Sequence, residues 1–254
     1  MIYLKTDDEI ALMRESNTLV GKTLGELARW IAPGITTLRL DQIAEQYIRD
    51  NGGVPGFKGY GGFPFTLCIS VNENIVHGFP SSYVLRDGDI VSIDVGAFKD
   101  GFHGDCAATF ICGEVSEEAR RLIEVTKQSF FEGLKYAREG YRLPDLSGAI
   151  QRYVEEHGFS VVREYVGHGI GANLHEAPEV PNFVSPRMGR PRLLRGMTIA
   201  VEPMVNAGKA AIKVMPDGWT VKTADGKLSA HYENTILITD GEPELLTDPD
   251  TKAE

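Results

Sequence analysis

The sequence predicts a mixed fold, α+β or α/β, in which helices cover one face of a curved sheet and the second half is a degenerate copy of the first. Three observations predict it. Pairs of amphipathic helical stretches precede strand-like apolar runs twice along the chain. The helical stretches align on each other at a nearly constant shift, and acidic residues interrupt the apolar runs at matching places.

Taken in order, residues 7–31 carry Ile10, Met13, Val20, Leu24, Leu27 and Ile31 at helical spacing, and Pro33-Gly34 ends the run. Thr36 or Thr37 caps a second helix that reaches about Asn51 and stops at Gly52-Gly53. Residues 53–64, rich in Gly, Pro and aromatics, read as a loop, and apolar runs near 65–71, 90–98 and 106–111 read as strands. Ser116 caps a long helix to about Arg138, and Pro144 opens another that ends at Gly158. Strand-like runs return near 159–166, 197–206 and 231–239. Without a low-complexity linker, residues 1–254 form one unit, with halves of roughly 1–113 and 114–254.

The internal repeat is read residue by residue. A shift of 106 places Gly34 on Gly140, Leu40 on Leu146, Tyr47 on Tyr153 and Gly52 on Gly158. "RDGDIVSIDVG" then falls on "LRGMTIAVEPM", which sets Asp94 on Glu202. "FHGD" falls on "AHYE", which sets His103 on His231 and Asp105 on Glu233. The loosest match is "VHG" on "GHG", which makes His77 the counterpart of His168 and, by symmetry alone, a sixth potential metal ligand.

The acids explain why these positions matter. In "DIVSIDVGAFKDGFHGDCAATFI" either Asp100-Gly101 or Lys99-Asp100 makes the turn of a hairpin. Both registers put Asp94 and Asp105 on one face, because strand side chains alternate with period two. Like charges there repel unless a cation or a shared proton intervenes. Glu202 in "MTIAVEP" and Glu233 in "HYENTILI" are lone acids in apolar strands, costly to bury unless paired or metal-bound. His168 sits between glycines in "GHGIG", a sign of close backbone approach.

Four carboxylates and one imidazole make an oxygen-rich site suited to a pair of divalent ions, Mn, Fe, Co or Zn. A hydroxide bridging such a pair is a nucleophile at neutral pH, which points to metal-assisted hydrolysis. Competing motifs fail: "HEAPE" lacks the second His of HExxH, and "GHGIGA" is followed by Asn173, Leu174 and Pro178 where a nucleotide-binding helix should begin.

Composition sets the remaining bounds. The 254 residues are 42% hydrophobic and 24% charged, ordinary for a globular protein. A net charge of −10 argues against broad nucleic-acid binding. No apolar leader or membrane-length stretch is present, and three cysteines without CxxC fit a reducing cytoplasm. Asp248, Asp250 and Glu254 read as a solvated acidic tail.

Asp94, Asp105, "GHGIG" with His168, "HEAPEV" with His175, "VEP" with Glu202 and "ENT" with Glu233 together resemble the type I methionine aminopeptidases over essentially the whole chain, and "VNENIVHGFP" with His77 is similar to their substrate-facing stretch. The resemblance implies the pseudo-two-fold pita-bread fold, α+β in class. It implies a short bacterial form that removes initiator methionine from nascent chains when the second residue is small. It assigns Asp94, Asp105, His168, Glu202 and Glu233 to two divalent metals, with Asp105 and Glu233 bridging and Glu202 also handling a proton. His77 and His175 become contacts to the scissile peptide, so the resemblance overrides the symmetry argument for His77. Tyr60, Phe63, Cys68 and Trp219 match positions of the methionine pocket, although Phe63 and Leu174 replace a common Tyr and a common Phe. His103 and His231 are left with structural or supporting roles. The expected protein is a cytoplasmic monomer working near the ribosome, with no membrane or specific nucleic-acid partner. Two other readings share the ligand set or the fold: a proline-directed aminopeptidase or prolidase, and a non-enzymatic binding protein.

Overall fold

A computed structural model describes residues 1–247, so the acidic tail at Asp248, Asp250 and Glu254 lies outside the described residues. Four helices are present there: α1 (Asp7–Ala28), α2 (Thr37–Asp50), α3 (Glu117–Leu134) and α4 (Leu143–Glu156). In the first half the strands are β1 (Val54–Pro55), β2 (Leu67–Val71), β3 (Asn74–Val76), β4 (Ile90–Lys99) and β5 (Phe102–Ile111). The second half adds β6 (Ser160–Val161), β7 (Gly167–Gly169), β8 (Glu176–Val180), β9 (Thr198–Val201) and β10 (Met204–Asn206). It ends with β11 (Ile212–Val214), β12 (Val221–Thr223), β13 (Ser229–His231), β14 (Glu233–Leu237) and β15 (Glu244–Leu245).

Helix starts follow side-chain chemistry. Thr6 caps α1 in a reciprocal box with Glu9, and Asp7, Asp8 and Glu9 oppose the positive end of the helix dipole. Thr36, not Thr37, caps α2 by accepting from the Arg39 amide, and Ser116 caps α3 in the same way through Ala119. Helix α3 stops at Leu134, short of Arg138: tighter bonds from Tyr136 to Gly133 and Ala137 to Leu134 close the last turn, and Gly140 at φ +98° redirects the chain.

The main sheet runs β1-β4-β5-β14-β9-β7-β8, with β2 on β4 and β15 on β14, and every pairing is antiparallel. Two smaller three-stranded sheets, β13-β10-β6 and β11-β12-β3, complete the fold. The class is therefore α+β. The hairpin β4–β5 turns at Asp100-Gly101, both at positive φ (51° and 88°), which settles the register with Gly96 opposite Asp105.

Several strand boundaries differ from expectation. Strand-like 197–206 breaks into β9 and β10 because Pro203 has no amide to donate, and 231–239 breaks into β13 and β14 at Tyr232. The run 159–166 pairs only at Ser160–Val161, since Arg163 and Glu164 turn outward into solvent. The loop 53–64 holds β1 and a single 3-10 turn, Tyr60–Gly62.

The two halves meet at the centre of the sheet. Cys106 and Asn234, equivalent under the shift that places Asp105 on Glu233, are themselves directly paired between β5 and β14. A local two-fold axis through that pair relates Asp105 and Glu233, each one residue before it. The copy is imperfect where the helices lie on the sheet. Gly104 faces the α1 backbone, and a Cβ there would sit 2.6 Å from the Ser16 carbonyl oxygen. Its counterpart, Tyr232, instead packs its ring against Phe130 and Phe131 of α3. Gly104→Ala is accordingly expected to destabilise the fold by about 2 kcal/mol, since the obstruction is backbone and cannot rotate away. Urea unfolding checks this value, and an unchanged midpoint would contradict the close approach. No helix among the described residues is long and apolar enough to cross a membrane.

Candidate metal centre

Five neighbouring strands each deliver one of the expected ligands. Asp94 comes from β4, Asp105 from β5, Glu233 from the start of β14, Glu202 from the residue after β9, and His168 from β7. Glu202 owes its place to the break at Pro203. Val201 pairs with Asn234 and Met204 with His231, so the same register carried across the break sets Glu202 opposite Glu233. Gly167 and Gly169 flank His168 because β7 is squeezed between neighbours: a Cβ would lie 2.3 Å from the Ala200 oxygen at 167 and 2.3 Å from the Ala177 oxygen at 169. The expectation of close backbone approach is met.

The geometry suits a cation. Ligand atoms of Asp105, His168 and Glu233 all lie within 4.8 Å of one another, and all three residues are buried. His168 Nε2 is 3.7 Å from both Asp105 Oδ2 and Glu202 Oε1. Its Nδ1 faces the Gly169 carbonyl at 2.9 Å, so a proton there leaves the Nε2 lone pair aimed at the carboxylates. Asp94 Oδ1, Asp105 Oδ1 and Glu233 Oε1 are buried and accept no hydrogen bond from the protein. Buried acceptors without donors are costly, and a divalent ion supplies the missing partner. The residues present fit the metal.

Electrostatics agree. Burial pushes Asp105, Glu202 and Glu233 well above the usual carboxylate range, and repulsion among the acids adds to it. Burial raises Asp94 to about 7, partly offset by its contact with Asp105. Burial also lowers His168 to about 4, so its ring is neutral and able to ligate at pH 7. A cation among these acids would favour their charged forms, so metal binding and proton release are coupled here.

The remaining expected residues line the same cavity. His77 is half-buried, with its backbone in the left-handed region (φ +57°) and its ring set edge-on to Tyr165 at 5.2 Å. It lies in the cavity wall with the acids and, like Asp94 and Glu202, stands outside the close trio. His175 sits 4.2 Å from the His168 ring, and its Nδ1 hydrogen-bonds the Tyr60 hydroxyl at 2.7 Å. Phe63 and Trp219 meet edge-to-face at 5.2 Å and, with Cys68, wall an apolar recess beside the acids.

Sequence reasoning missed Phe57 and Gly61 as lining residues. Phe57 lies over Gly96, where a Cβ would meet its ring at 2.5 Å, a contact between distant positions that local sequence does not signal. His231 Nε2 approaches Glu202 and Glu233 at 3.9 and 3.8 Å and has no hydrogen-bond partner among the described residues. His103 stacks obliquely on Phe98 at 4.8 Å and belongs to the hairpin rather than the ligand group.

The description of metallopeptidase family M24 matches residues 11–240. The chain belongs to metallopeptidase family M24. As a member of that family it binds divalent metal, and among the described residues Asp105, His168 and Glu233 bring ligand atoms close enough to hold an ion. Among its M24 relatives, a methionine aminopeptidase of Clostridium perfringens is 57% identical over 247 residues, covering 97% of this chain and 99% of the relative. The crystal structure of methionine aminopeptidase from Thermotoga maritima superposes with a TM-score of 0.95 at 44% identity, covering 98% of this chain and all of that one. Prolidase from Pyrococcus furiosus shares the fold, with a TM-score of 0.79 at 22% identity over 96% of this chain and 65% of its own.

Proposed function

We propose that this M24 peptidase is a methionine aminopeptidase, removing N-terminal methionine from nascent proteins and peptides and preferring a small second residue. The observation that carries the reading is the apolar recess of Phe63, Cys68 and Trp219 opening directly onto the buried acids and His168. An unbranched thioether suits such a recess: it is apolar, polarisable and narrow, and it gains sulfur–aromatic contact with the Phe63 and Trp219 rings. Full-length relatives named methionine aminopeptidase support the same substrate.

In this reading Asp94, Asp105, His168, Glu202 and Glu233 would hold two divalent ions, Co, Mn, Fe or Zn. When bound, the metal supplies Lewis acidity, polarising the scissile carbonyl and making water acidic enough to deprotonate near neutral pH. Glu202 accepts the proton released by water and returns it to the leaving amine. His175, with the Tyr60 hydroxyl donating to its Nδ1, carries its proton on Nε2 and donates it to the peptide oxygen. His77, held near a pKa of about 4 by burial, is a neutral hydrogen-bonding group facing the same peptide. Tyr60, on the rim, closes the recess over the bound methionine.

The catalytic unit comprises both halves, roughly 1–113 and 114–254, because each contributes acids to the shared centre. The protein acts as a monomer in the cytoplasm, close to the ribosome where new N-termini emerge. Hydrolysis of Met-Ala-Ser and Ala-Pro-Ser by chelated enzyme, before and after resupply of Mn(II) or Co(II), tests the function. Metal-restored release of methionine with no cut before proline is the expected result. Cleavage only before proline would move the chain to the prolidase side, and silence with every metal would favour a binding protein on this fold.

A further inference from the structure

We propose that Lys5 is a positioning residue for the reaction, acting through Glu176 to hold the turn that presents His175, an inference that rests on reading His175 as a substrate contact. Lys5 precedes α1, and its amide is fixed to the Gly196 carbonyl at 2.8 Å. Its side chain then runs inward until only 2% is exposed, and Nζ meets Glu176 Oε2 at 2.5 Å. A lysine buried to that degree needs a partner; Glu176 is its ion-pair partner, and the Tyr3 ring lies 5.0 Å from Nζ.

The other oxygen of Glu176 does separate work. Oε1 accepts the Asn173 amide at 3.1 Å, so one carboxylate closes the turn 173–176 and receives the lysine. The start of that turn is pinned by bonds from Gly171 N to the Asn173 oxygen and from His103 N to the Gly171 oxygen, at 3.0 and 2.8 Å. Gly171 leaves the channel for the lysine: a Cβ there would lie 2.5 Å from Lys5 Cε and 2.7 Å from Nζ. His175 is thus held from two directions. Tyr60 fixes its ring through Nδ1, and the Lys5–Glu176 pair fixes its backbone from behind.

Stability alone does not account for the pair. Two apolar side chains of the same shape would hold the N-terminal segment to the turn as well or better, since a buried ion pair roughly cancels its own desolvation. What the pair adds is direction: a carboxylate with both oxygens engaged admits one orientation of the turn. An imidazole that must meet a peptide oxygen in the transition state depends on such placement, because displacement by about 1 Å costs on the order of 100-fold in rate.

The test uses metal-loaded full-length enzyme carrying Lys5→Met, Glu176→Gln, both together, or Lys5→Arg, each with and without His175→Ala. The double variant removes both charges, so it folds even where a single substitution strands its partner. It is expected to bind Mn(II) with unchanged affinity by calorimetry while kcat on Met-Ala-Ser falls about 10- to 100-fold and KM barely moves. Lys5→Arg should recover most of that loss, and in the His175→Ala background the double variant should cost nothing further. Wild-type kcat in the double variant, or the same loss with His175 already gone, would overturn the positioning role while leaving His175 as read. Unchanged kcat in His175→Ala alone would overturn the reading of His175, and this proposal with it.

Discussion

Asp105→Asn is expected to lower turnover of Met-Ala-Ser by more than about 100-fold and to weaken Mn(II) binding by at least as much. Supporting residues around metal ligands already cost about 10- to 100-fold when lost, and Asp105 is read as a ligand itself. The substitution keeps the shape of the side chain, so packing on β5 is undisturbed. It removes one of four negative charges and turns an N–H toward the position of a cation. In the structure Asp105 Oδ1 is buried without a partner, and Oδ2 lies 3.7 Å from His168 Nε2 within the close trio. The metal-free variant should melt no lower than wild type, because Asp105 is among the acids that burial and mutual repulsion penalise most when charged. Calorimetric titration, steady-state kinetics and thermal unfolding separate these effects. Near-normal activity with a full metal complement would remove Asp105 from the centre.

The metal-free protein is expected to lose stability as pH rises above about 7, and divalent metal to reverse that loss. The acids Asp94, Asp105, Glu202 and Glu233 all have folded-state pKa values raised above their ordinary ones, chiefly by burial. A raised group binds more protons folded than unfolded, so its contribution is present at low pH and disappears as pH climbs through the folded value. For Asp94 that window runs from 3.8 to about 7, and the other three extend the loss upward.

The histidines act with the opposite sign. His77, His103 and His168 lie near 4 and His231 near 3, each lowered from 6.5, so they favour the fold increasingly as pH rises to 6.5 and no further. The two trends oppose each other in mild acid, and only the carboxylate trend remains above neutrality. Thermal melts of chelated protein should therefore fall as pH rises above about 7. The gain on adding Mn(II) should widen over the same range, because the ion replaces protons that the site no longer holds. A chelated protein whose melting temperature is flat across that range, with an equal metal increment throughout, would contradict the crowded-acid account.

Much of this molecule was legible before its fold was known. The helix caps at Thr36 and Ser116 act within four residues, so local sequence states them. The β4–β5 hairpin was readable for the same reason, although Asp100-Gly101 and Lys99-Asp100 were equally good turns on paper. The register was decided by two positive φ angles at the tip. Strands β3, β7, β11 and β12 were not readable. Each is three residues long, and β3 finds its partner in β12 across a gap of well over a hundred residues. No periodicity develops in so short a run.

The candidate site divides along the same line. The types of group, four isolated acids in apolar strands and a histidine between glycines, follow from the sequence itself, because burying such acids without a cation is prohibitive wherever they lie. Their common destination was implied by the repeat, and Asp105 and Glu233 do straddle the local two-fold axis at Cys106–Asn234. The repeat also proposed His77 as a ligand, and the tertiary structure sets it in the cavity wall beside Tyr165. Lys5 and Glu176, 171 positions apart, carried no sequence signal at all. Propensity, capping and alternation act over a few residues and so are written in the chain. Which distant segments become neighbours is settled only when the whole core packs, and that packing placed β4, β5, β14, β9 and β7 side by side with one ligand from each.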